Sequence, residues 1–275
     1  MASRGFVLTF HSHNIAGNDY ATNDHVALDA TLSHLERAGV PVLRLLDVAR
    51  RLRAGQLDRL PGRFACITFD DGTDYDWRDL AHPEHGAQKS MHSVLREHSH
   101  RLLGLVWRRR AHATSFVIAS SRARAEISAA ALGDASLMSD SWWRRAQRSG
   151  LMDIGTHGWN HVHPAASEMQ AQPELIERFD RVDTPAEAAL QVDRAFDAIH
   201  GTAGGDGGRV FAYPYGQVSE YLATQHLPAQ KNFVAAVGVE PKPLHAGSDP
   251  WRIPRYVCGP DWKDEAGLDA ILRAA

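Results

Sequence analysis

Short apolar segments alternate with amphipathic helical segments along most of this 275-residue chain. Several of the short segments are apolar throughout, which is typical of strands that are covered on both faces. Strands that alternate with helices predict an α/β fold with a parallel sheet, either a closed barrel or an open doubly wound sheet. The predicted strands are residues 7–10, 42–45, 64–69, 115–119, 152–155, 210–213, 233–237 and 251–253.

Three predicted helices have clear sequence signals at their ends. The first covers about residues 24–38, with leucines on one face and Gly39 as its stop. The second covers about residues 46–54. The third begins after Thr184, which we expect to be its N-cap, with Glu187 as the partner in a capping box.

Two longer connections look like insertions. Residues 73–110 are polar at first and helical from about Gln88, and residues 169–183 form a polar, acidic connection. The length of the chain suits an α/β barrel without a second domain. We therefore predict a single domain over residues 1–275 that carries these two insertions.

The composition excludes several classes of protein. Apolar residues make up 44% and charged residues 23% of the chain, and the net charge of −3 provides no basic field for nucleic acid. No segment reaches the ~20 apolar residues that span a bilayer. The apolar run at residues 6–10 is too short for a secretory signal, so we expect a cytoplasmic protein. Only two cysteines are present, Cys66 and Cys258, which excludes a multi-cysteine zinc ribbon.

The first candidate site follows the predicted strand at residues 64–69. Two adjacent carboxylates, Asp70 and Asp71, stand there before Gly72. Neighbouring carboxylates repel each other, and a bound cation could relieve this repulsion and leave one ligand and one base. An ordinary Asp-Asp-Gly turn is the alternative interpretation.

The second candidate site follows the predicted strand at residues 152–155. His157 and His161 are four residues apart, so one helical turn would direct both side chains the same way. Neutral imidazoles in such pairs are common zinc ligands. Two solvated loop histidines are the alternative, and His163 could replace either ligand.

Two further predicted strands end in candidate groups. His11 follows residues 7–10, and the turn Pro214-Tyr215-Gly216, which can expose a backbone N–H, follows residues 210–213. The carboxyl ends of barrel strands form the active-site face, so these groups are expected to lie near the first two sites. One Asp and two His leave a metal position open for water, and the remaining Asp and His could act as base and acid.

These motifs resemble the polysaccharide deacetylases of the NodB-homology type, carbohydrate esterase family 4. Thr68-Phe69-Asp70-Asp71-Gly72 is the same as the first motif of the family, and the segment from His157 to His161 is similar to its His-(Ser/Thr)-x-x-His motif. The third motif, from Phe211 to Gly216, the early Phe10-His11 pair and the late Arg252-Ile253-Pro254-Arg255 segment resemble the branch that deacetylates poly-N-acetylglucosamine. The resemblance covers most of the chain outside the two insertions.

The resemblance implies a distorted (β/α)7-8 barrel and a divalent metal, most often Zn²⁺, with Co²⁺ or Ni²⁺ as alternatives. It implies that Asp71, His157 and His161 are the metal ligands. Asp70 would be the general base and His11 the general acid. The backbone N–H of Tyr215 would stabilise the oxyanion. The other residues that we predict at the oxyanion and substrate site are Pro214, Trp159 and Arg255.

The sequence departs from the family pattern at three places. The arginine that many members carry two residues before the third-motif proline is replaced by Ala212, which leaves Arg209 and Arg255 as candidates to orient the base. The late Leu-x-His motif is missing, and His245 is an alternative acid. The acidic and aromatic segment 73–79 either contacts a sugar or is a solvated loop.

We therefore predict a metal-dependent hydrolase of carbohydrate metabolism that removes an acetyl group from an N-acetylated sugar or glycoside. A hydrolase of a non-sugar amide or of an O-acetyl ester could use the same metal site. A metal-binding or sugar-binding protein that has lost catalysis is a third interpretation. For a cytoplasmic enzyme, a nucleotide-linked, lipid-linked or small glycoside substrate fits better than a wall polymer.

Overall fold

A curled parallel sheet of seven strands forms the centre of the computed structural model, which describes residues 3–101 and 111–273. A separate antiparallel hairpin consists of β3 (Leu80–His82) and β4 (Gly86–Gln88). The strands of the main sheet are β1 (Arg4–Phe10), β2 (Arg63–Phe69), β5 (Ala113–Val117), β6 (Met152–Thr156), β7 (Val210–Ala212), β8 (Ala235–Val237) and β9 (Tyr256–Val257). Their order in the sheet is β8-β7-β6-β5-β2-β1-β9.

The segment that leads into β9 joins the two edges of this sheet. Ile253 forms a parallel bridge with Val237 in β8, and four residues later Val257 pairs with Thr9 in β1. The backbone N–H groups of Ala236 and Gly238 donate to carbonyls of the same segment. The sheet therefore curls into a distorted seven-stranded barrel, and the predicted fold is confirmed.

Helices connect the strands, and their ends follow the capping signals in the sequence. The first two match the prediction to within a residue, and the predicted capping box of Thr184 and Glu187 is present. The helix after this box passes through a π-helical stretch at Ala189–Asp193 before it continues as α7. The helices are α1 (Asp24–Arg37), α2 (Leu45–Arg53), α3 (Met91–Arg101), α4 (Ser121–Leu132), α5 (Trp143–Ser149), α6 (Pro185–Ala188), α7 (Arg194–Ala203), α8 (Leu227–Ala229) and α9 (Glu265–Arg273).

Two predicted strands were wrong in extent. Residues 42–45 contribute a single bridge from Val42 to Ala65, because helix α2 already begins at Leu45. Residues 251–253 contribute only the bridge of Ile253, and regular pairing falls later, in β9. Short apolar runs do not distinguish a strand from the first turn of a helix or from an irregular bridge.

The two predicted insertions contain more structure than their polar composition indicates. The first holds the β3–β4 hairpin and helix α3, and its residues 102–110 lie outside the described part of the chain. The second consists of short 3₁₀ turns. It buries four apolar side chains in the core, those of Met169, Leu175, Phe179 and Val182. Across residues 3–101 and 111–273, none of the helices has the length and apolar character that a membrane crossing requires.

Candidate active site

A cavity of about 380 Å³ opens at the carboxyl-terminal end of the sheet. Polar side chains that follow three strands reach it, since β1, β2 and β6 end just before His11, Asp70 and His157 respectively. Parallel strands bring their carboxyl ends to one edge of the sheet, so residues far apart in sequence meet there. The polar lining residues are His11, His13, Asp70, Asp71, Thr73, His157, His161, His163 and Tyr215.

The three side chains predicted as metal ligands form a cluster in this cavity. Asp71 Oδ1 lies 3.6 Å from Nε2 of His157 and 3.6 Å from Nε2 of His161. The three ligand atoms all lie within 4.8 Å of one another. Nδ1 of His157 lies 2.9 Å from the carbonyl oxygen of Ala212, and this hydrogen bond leaves the Nε2 lone pair free for a metal.

The charge states of the cluster also suit a cation. Burial, with further repulsion from His157, lowers the pKa of His161 to about 3, so its imidazole is neutral at physiological pH. Burial alone would raise the pKa of Asp71, but His161 and the other cavity histidines outweigh it and hold that pKa below its usual value. Two imidazoles and one carboxylate are a typical donor set for zinc and related divalent ions.

Residues with positive φ angles set the direction of the side chains in this cluster. Asp71 has a φ of 73° and Gly72 a φ of 71°, so two successive left-handed residues turn the chain sharply after β2. A side chain at residue 72 would place its Cβ 2.5 Å from Cγ1 of Val117, which explains the glycine. His161 also has a positive φ, of 60°. Left-handed non-glycine residues cost about 1–3 kcal/mol each and persist where the surrounding structure holds them.

Asp70 lies beside the cluster and forms a buried ion pair with Arg255. The guanidinium donates from Nη1 to Oδ1 at 2.7 Å and from Nη2 to Oδ2 at 2.8 Å. Asp70 is 4% exposed and Arg255 is 0% exposed. Burial alone would raise the pKa of Asp70, but Arg255 and His157 hold it below its usual value. Asp70 is therefore ionised and fixed in orientation at neutral pH.

Arg255, which contacts Asp70, also forms hydrogen bonds in and beside two strands. Its Nε donates to the carbonyl oxygen of Gly238 at 2.7 Å, just after β8. Its Nη1 also approaches Thr68 Oγ1, at 3.3 Å, in β2. Arg255 thus lies beneath Asp70 and not in the wall of the cavity. The other candidate, Arg209, precedes β7 and lies at the opposite end of the barrel.

His11 lines the cavity and is half-buried. Its backbone N–H donates to Oδ2 of Asp24 at 2.6 Å, which fixes the end of β1 against the start of α1. His13, two residues further, places Nδ1 3.7 Å from Oδ2 of Asp71, the carboxylate oxygen that faces away from the histidine pair. The sequence did not single out His13, because it follows β1 in irregular chain.

The other predicted site residues divide into cavity and non-cavity positions. Tyr215, with a φ of 57°, lines the cavity, and its ring centroid lies 4.4 Å from that of His161. Pro214 is buried and faces Gly158. Trp159 lies outside the cavity lining: its indole N–H donates to Glu168, and Arg194 stacks on its ring at 3.8 Å.

The structure also gives the positions of His245 and of the segment 73–79, for which the sequence left alternatives open. His245 follows Leu244, which bridges to Gly5 at the beginning of β1, so it lies at the amino-terminal end of the barrel, away from His11. The segment 73–79 is neither a sugar platform nor a solvated loop in its central part. Asp74, Tyr75 and Asp76 are 2%, 3% and 0% exposed, because the 3₁₀ turn after Gly72 folds into the interior.

Sequence reasoning missed one side of the cavity altogether. Apart from Val239 and Val257, which come from the segment after β8 and from β9, five apolar residues line the cavity, namely Ile118, Ile127, Ala131, Leu132 and Met138, and we call these five the apolar wall. They come from the end of β5, from α4 and from the loop after α4. An apolar face on a helix usually indicates packing against the core, so no sequence signal marked these residues as part of a site.

The sequence profile of the polysaccharide deacetylase family matches residues 58–231, which include Asp70, Asp71, His157, His161 and the third-motif turn. No curated protein sequence gives a significant match.

Several solved structures share the fold over almost the whole chain. IcaB from Ammonifex degensii is 22% identical, with a TM-score of 0.63 and coverage of 98% of each chain. The deacetylase PplD from Streptococcus pyogenes, in complex with acetate, is 16% identical, with a TM-score of 0.66 and coverage of 98% of this chain and 99% of PplD. A de-N-acetylase from Aggregatibacter actinomycetemcomitans is 15% identical, with a TM-score of 0.64 and coverage of 98% and 100%. At these identities the similarity shows the fold.

Proposed function

The chain belongs to the polysaccharide deacetylase family, and on that premise we propose that it is a metal-dependent hydrolase that removes the acetyl group of an N-acetylated sugar or glycoside. One observation carries the proposal. A cluster of Asp71, His157 and His161 shares a single cavity with the ion-paired carboxylate of Asp70 and with His11. A ligand set, a base and an acid are thus available within one site.

Asp71, His157 and His161 would hold the metal, with Zn²⁺ favoured by two imidazoles and a carboxylate, and Co²⁺ or Ni²⁺ as alternatives. When bound, such an ion supplies Lewis-acid polarisation of a carbonyl and of water. The fit rests on Nε2 of His157, which the hydrogen bond at Nδ1 leaves free, on Nε2 of His161, 3.6 Å from Oδ1 of Asp71, and on the lowered pKa of the Asp71 carboxyl.

Asp70 accepts a proton from the attacking water in this proposal. Its pKa is held low by Arg255, so it is ionised, and both of its oxygens are oriented by the guanidinium. His11 gives a proton to the departing nitrogen, and the backbone N–H of Tyr215 donates to the carbonyl oxygen as negative charge develops there. Water adds across the amide bond, which leaves acetate and a free amine.

The sugar amide is the favoured substrate because the family that the chain belongs to is that of the polysaccharide deacetylases, and a structure with the same fold is described as a de-N-acetylase. Non-sugar amides and O-acetyl esters undergo the same carbonyl attack. The assay therefore compares acetate release from the methyl glycoside of N-acetylglucosamine, from an N-acetylated peptide amide and from an O-acetylated sugar, each with Zn²⁺-loaded protein. Release from the sugar amide in preference to the other two is expected.

Two variants test the assigned roles. Asp70→Asn should lower kcat by roughly 10²- to 10⁴-fold, the typical contribution of a general base, while Zn²⁺ binding measured by calorimetry persists. Asp71→Asn should lose both activity and Zn²⁺ binding. The proposal is wrong if Asp70→Asn retains full activity, or if wild-type protein loaded with Zn²⁺ releases no acetate from any of the three substrates.

A further inference from the structure

The cavity has two chemically different sides. Histidines and carboxylates occupy one, and the apolar wall, defined above by Ile118, Ile127, Ala131, Leu132 and Met138, occupies the other. Ile118, Ile127 and Met138 are 1%, 6% and 5% exposed, whereas Ala131 is exposed and Leu132 is half-buried. The wall therefore runs from the buried floor of the cavity to its mouth.

The loop that carries Met138 is held in place by the segment that follows the first motif. The backbone N–H of Asp74 donates to the carbonyl of Leu137 at 2.7 Å. In return, the Asp74 carboxylate accepts from the backbone N–H and the hydroxyl of Ser139, both at 2.9 Å. Met138 is thus fixed between two anchored neighbours, so the wall is a built surface beside the candidate metal site.

The chemistry of the wall argues against a second sugar or a phosphate on this side. None of its five side chains carries an N–H or O–H group, so the hydroxyls of a neighbouring sugar would lose water without gaining partners. None is aromatic, so a sugar ring has no platform to stack on. Among the described residues that line the cavity, none is Lys or Arg, and a diphosphate would lack the cationic partner that it normally has.

We propose that the substrate is a glycoside of an N-acetylated sugar whose aglycone is apolar and uncharged, and that this aglycone lies along the apolar wall. The inference rests on the proposed function and narrows its substrate. A deacetylase removes a two-carbon acyl group, which cannot extend from the floor to the mouth. The group that covers the wall must therefore be another part of the substrate, and the substituent on the sugar is the one that can reach solvent.

The test compares kcat/KM for the hexyl and the methyl glycosides of N-acetylglucosamine with Zn²⁺-loaded protein. Each buried methylene contributes about 0.8 kcal/mol, roughly a fourfold change, so two methylenes on the wall give a preference for hexyl of roughly 15-fold. Leu132→Ser should reduce this preference to below about fourfold. Leu137→Ser is the matched control, since Leu137 is also half-buried and adjacent to the wall but does not line the cavity, and it should keep the preference.

Two further substrates separate the alternatives. The N-hexanoyl analogue of the methyl glycoside tests whether the wall receives a long acyl chain, and a nucleoside-diphosphate-linked N-acetylglucosamine tests a charged aglycone. Preference for either over the hexyl glycoside would overturn the inference, as would equal rates on hexyl and methyl glycosides. In those cases the deacetylase activity itself stands. If no N-acetylated sugar releases acetate, the proposed function fails and the inference fails with it.

Discussion

Replacing Arg255 by Met removes the guanidinium that donates to both oxygens of Asp70, at 2.7 and 2.8 Å. Both side chains are almost fully buried, so the carboxylate, which meets water only through the cavity, cannot recover its full water shell in the variant. Breaking a buried pair by removal of one partner costs about 3–5 kcal/mol, most of it from the charge left behind. The side chain of Met fills similar space, so the loss of packing is small.

The pH dependence of this loss has a definite sign. In the wild type the pKa of Asp70 is lowered despite burial, so the pair contributes stability at neutral pH that is lost as the pH falls through this lowered pKa. In Arg255→Met burial dominates and raises the pKa of Asp70. The carboxyl of the variant takes up a proton as the pH falls toward about 4, which relieves the unpaired charge. The difference in stability between the two proteins should therefore be largest near pH 7 and shrink in acid.

Urea unfolding of the metal-free proteins at pH 7 and at pH 4.5 measures the difference. Arg252→Met is the matched control, because Arg252 also donates at 2.7 Å, to Glu220, but the two side chains are 37% and 76% exposed. An exposed pair contributes about 0–1 kcal/mol. The double variant Arg255→Met/Asp70→Asn should recover much of the loss, since no buried charge remains. A cost for Arg255→Met no larger than that of the control, or one independent of pH, would refute the reasoning.

Three shorter predictions concern the same end of the barrel. Zn²⁺ at 100 times its dissociation constant should stabilise the wild type by about 2.7 kcal/mol in thermal melts, and Asp71→Asn should abolish most of this gain. Burial raises the pKa of Asp76 from 3.8 to about 7. As the pH rises from 3.8 to about 7, the free energy of unfolding of the wild type should therefore fall relative to that of Asp76→Asn, as measured by urea unfolding without metal. Gly72→Ala should destabilise more than Gly86→Ala in the same assay, because both have a φ of 71° but only the Cβ at residue 72 meets Val117, at 2.5 Å.

Much of the fold and part of the site follow from local sequence. The apolar runs at β1, β2 and β6 and the capping signals of α1 and α6 identify these elements, because burial and helix ends leave periodic or adjacent traces in the chain. The candidate ligands could be predicted for a similar reason. Asp71 and His157 lie within two residues of the ends of β2 and β6, His161 lies four residues after His157, and parallel strands place their carboxyl ends together.

The sequence by itself thus determined the class of fold, the cluster of Asp71, His157 and His161, and the position of Asp70 beside it. The tertiary structure alone decided which arginine contacts Asp70, since Arg255 lies 185 residues away in the chain. The structure also shows that His245 lies away from the site, that the turn at Asp74–Asp76 is buried, and that the residues of the apolar wall lie together. These contacts join segments that are far apart in the chain. They depend on how the sheet closes and on which loops are hydrogen-bonded to each other. A periodic pattern within one stretch of sequence does not reveal such contacts.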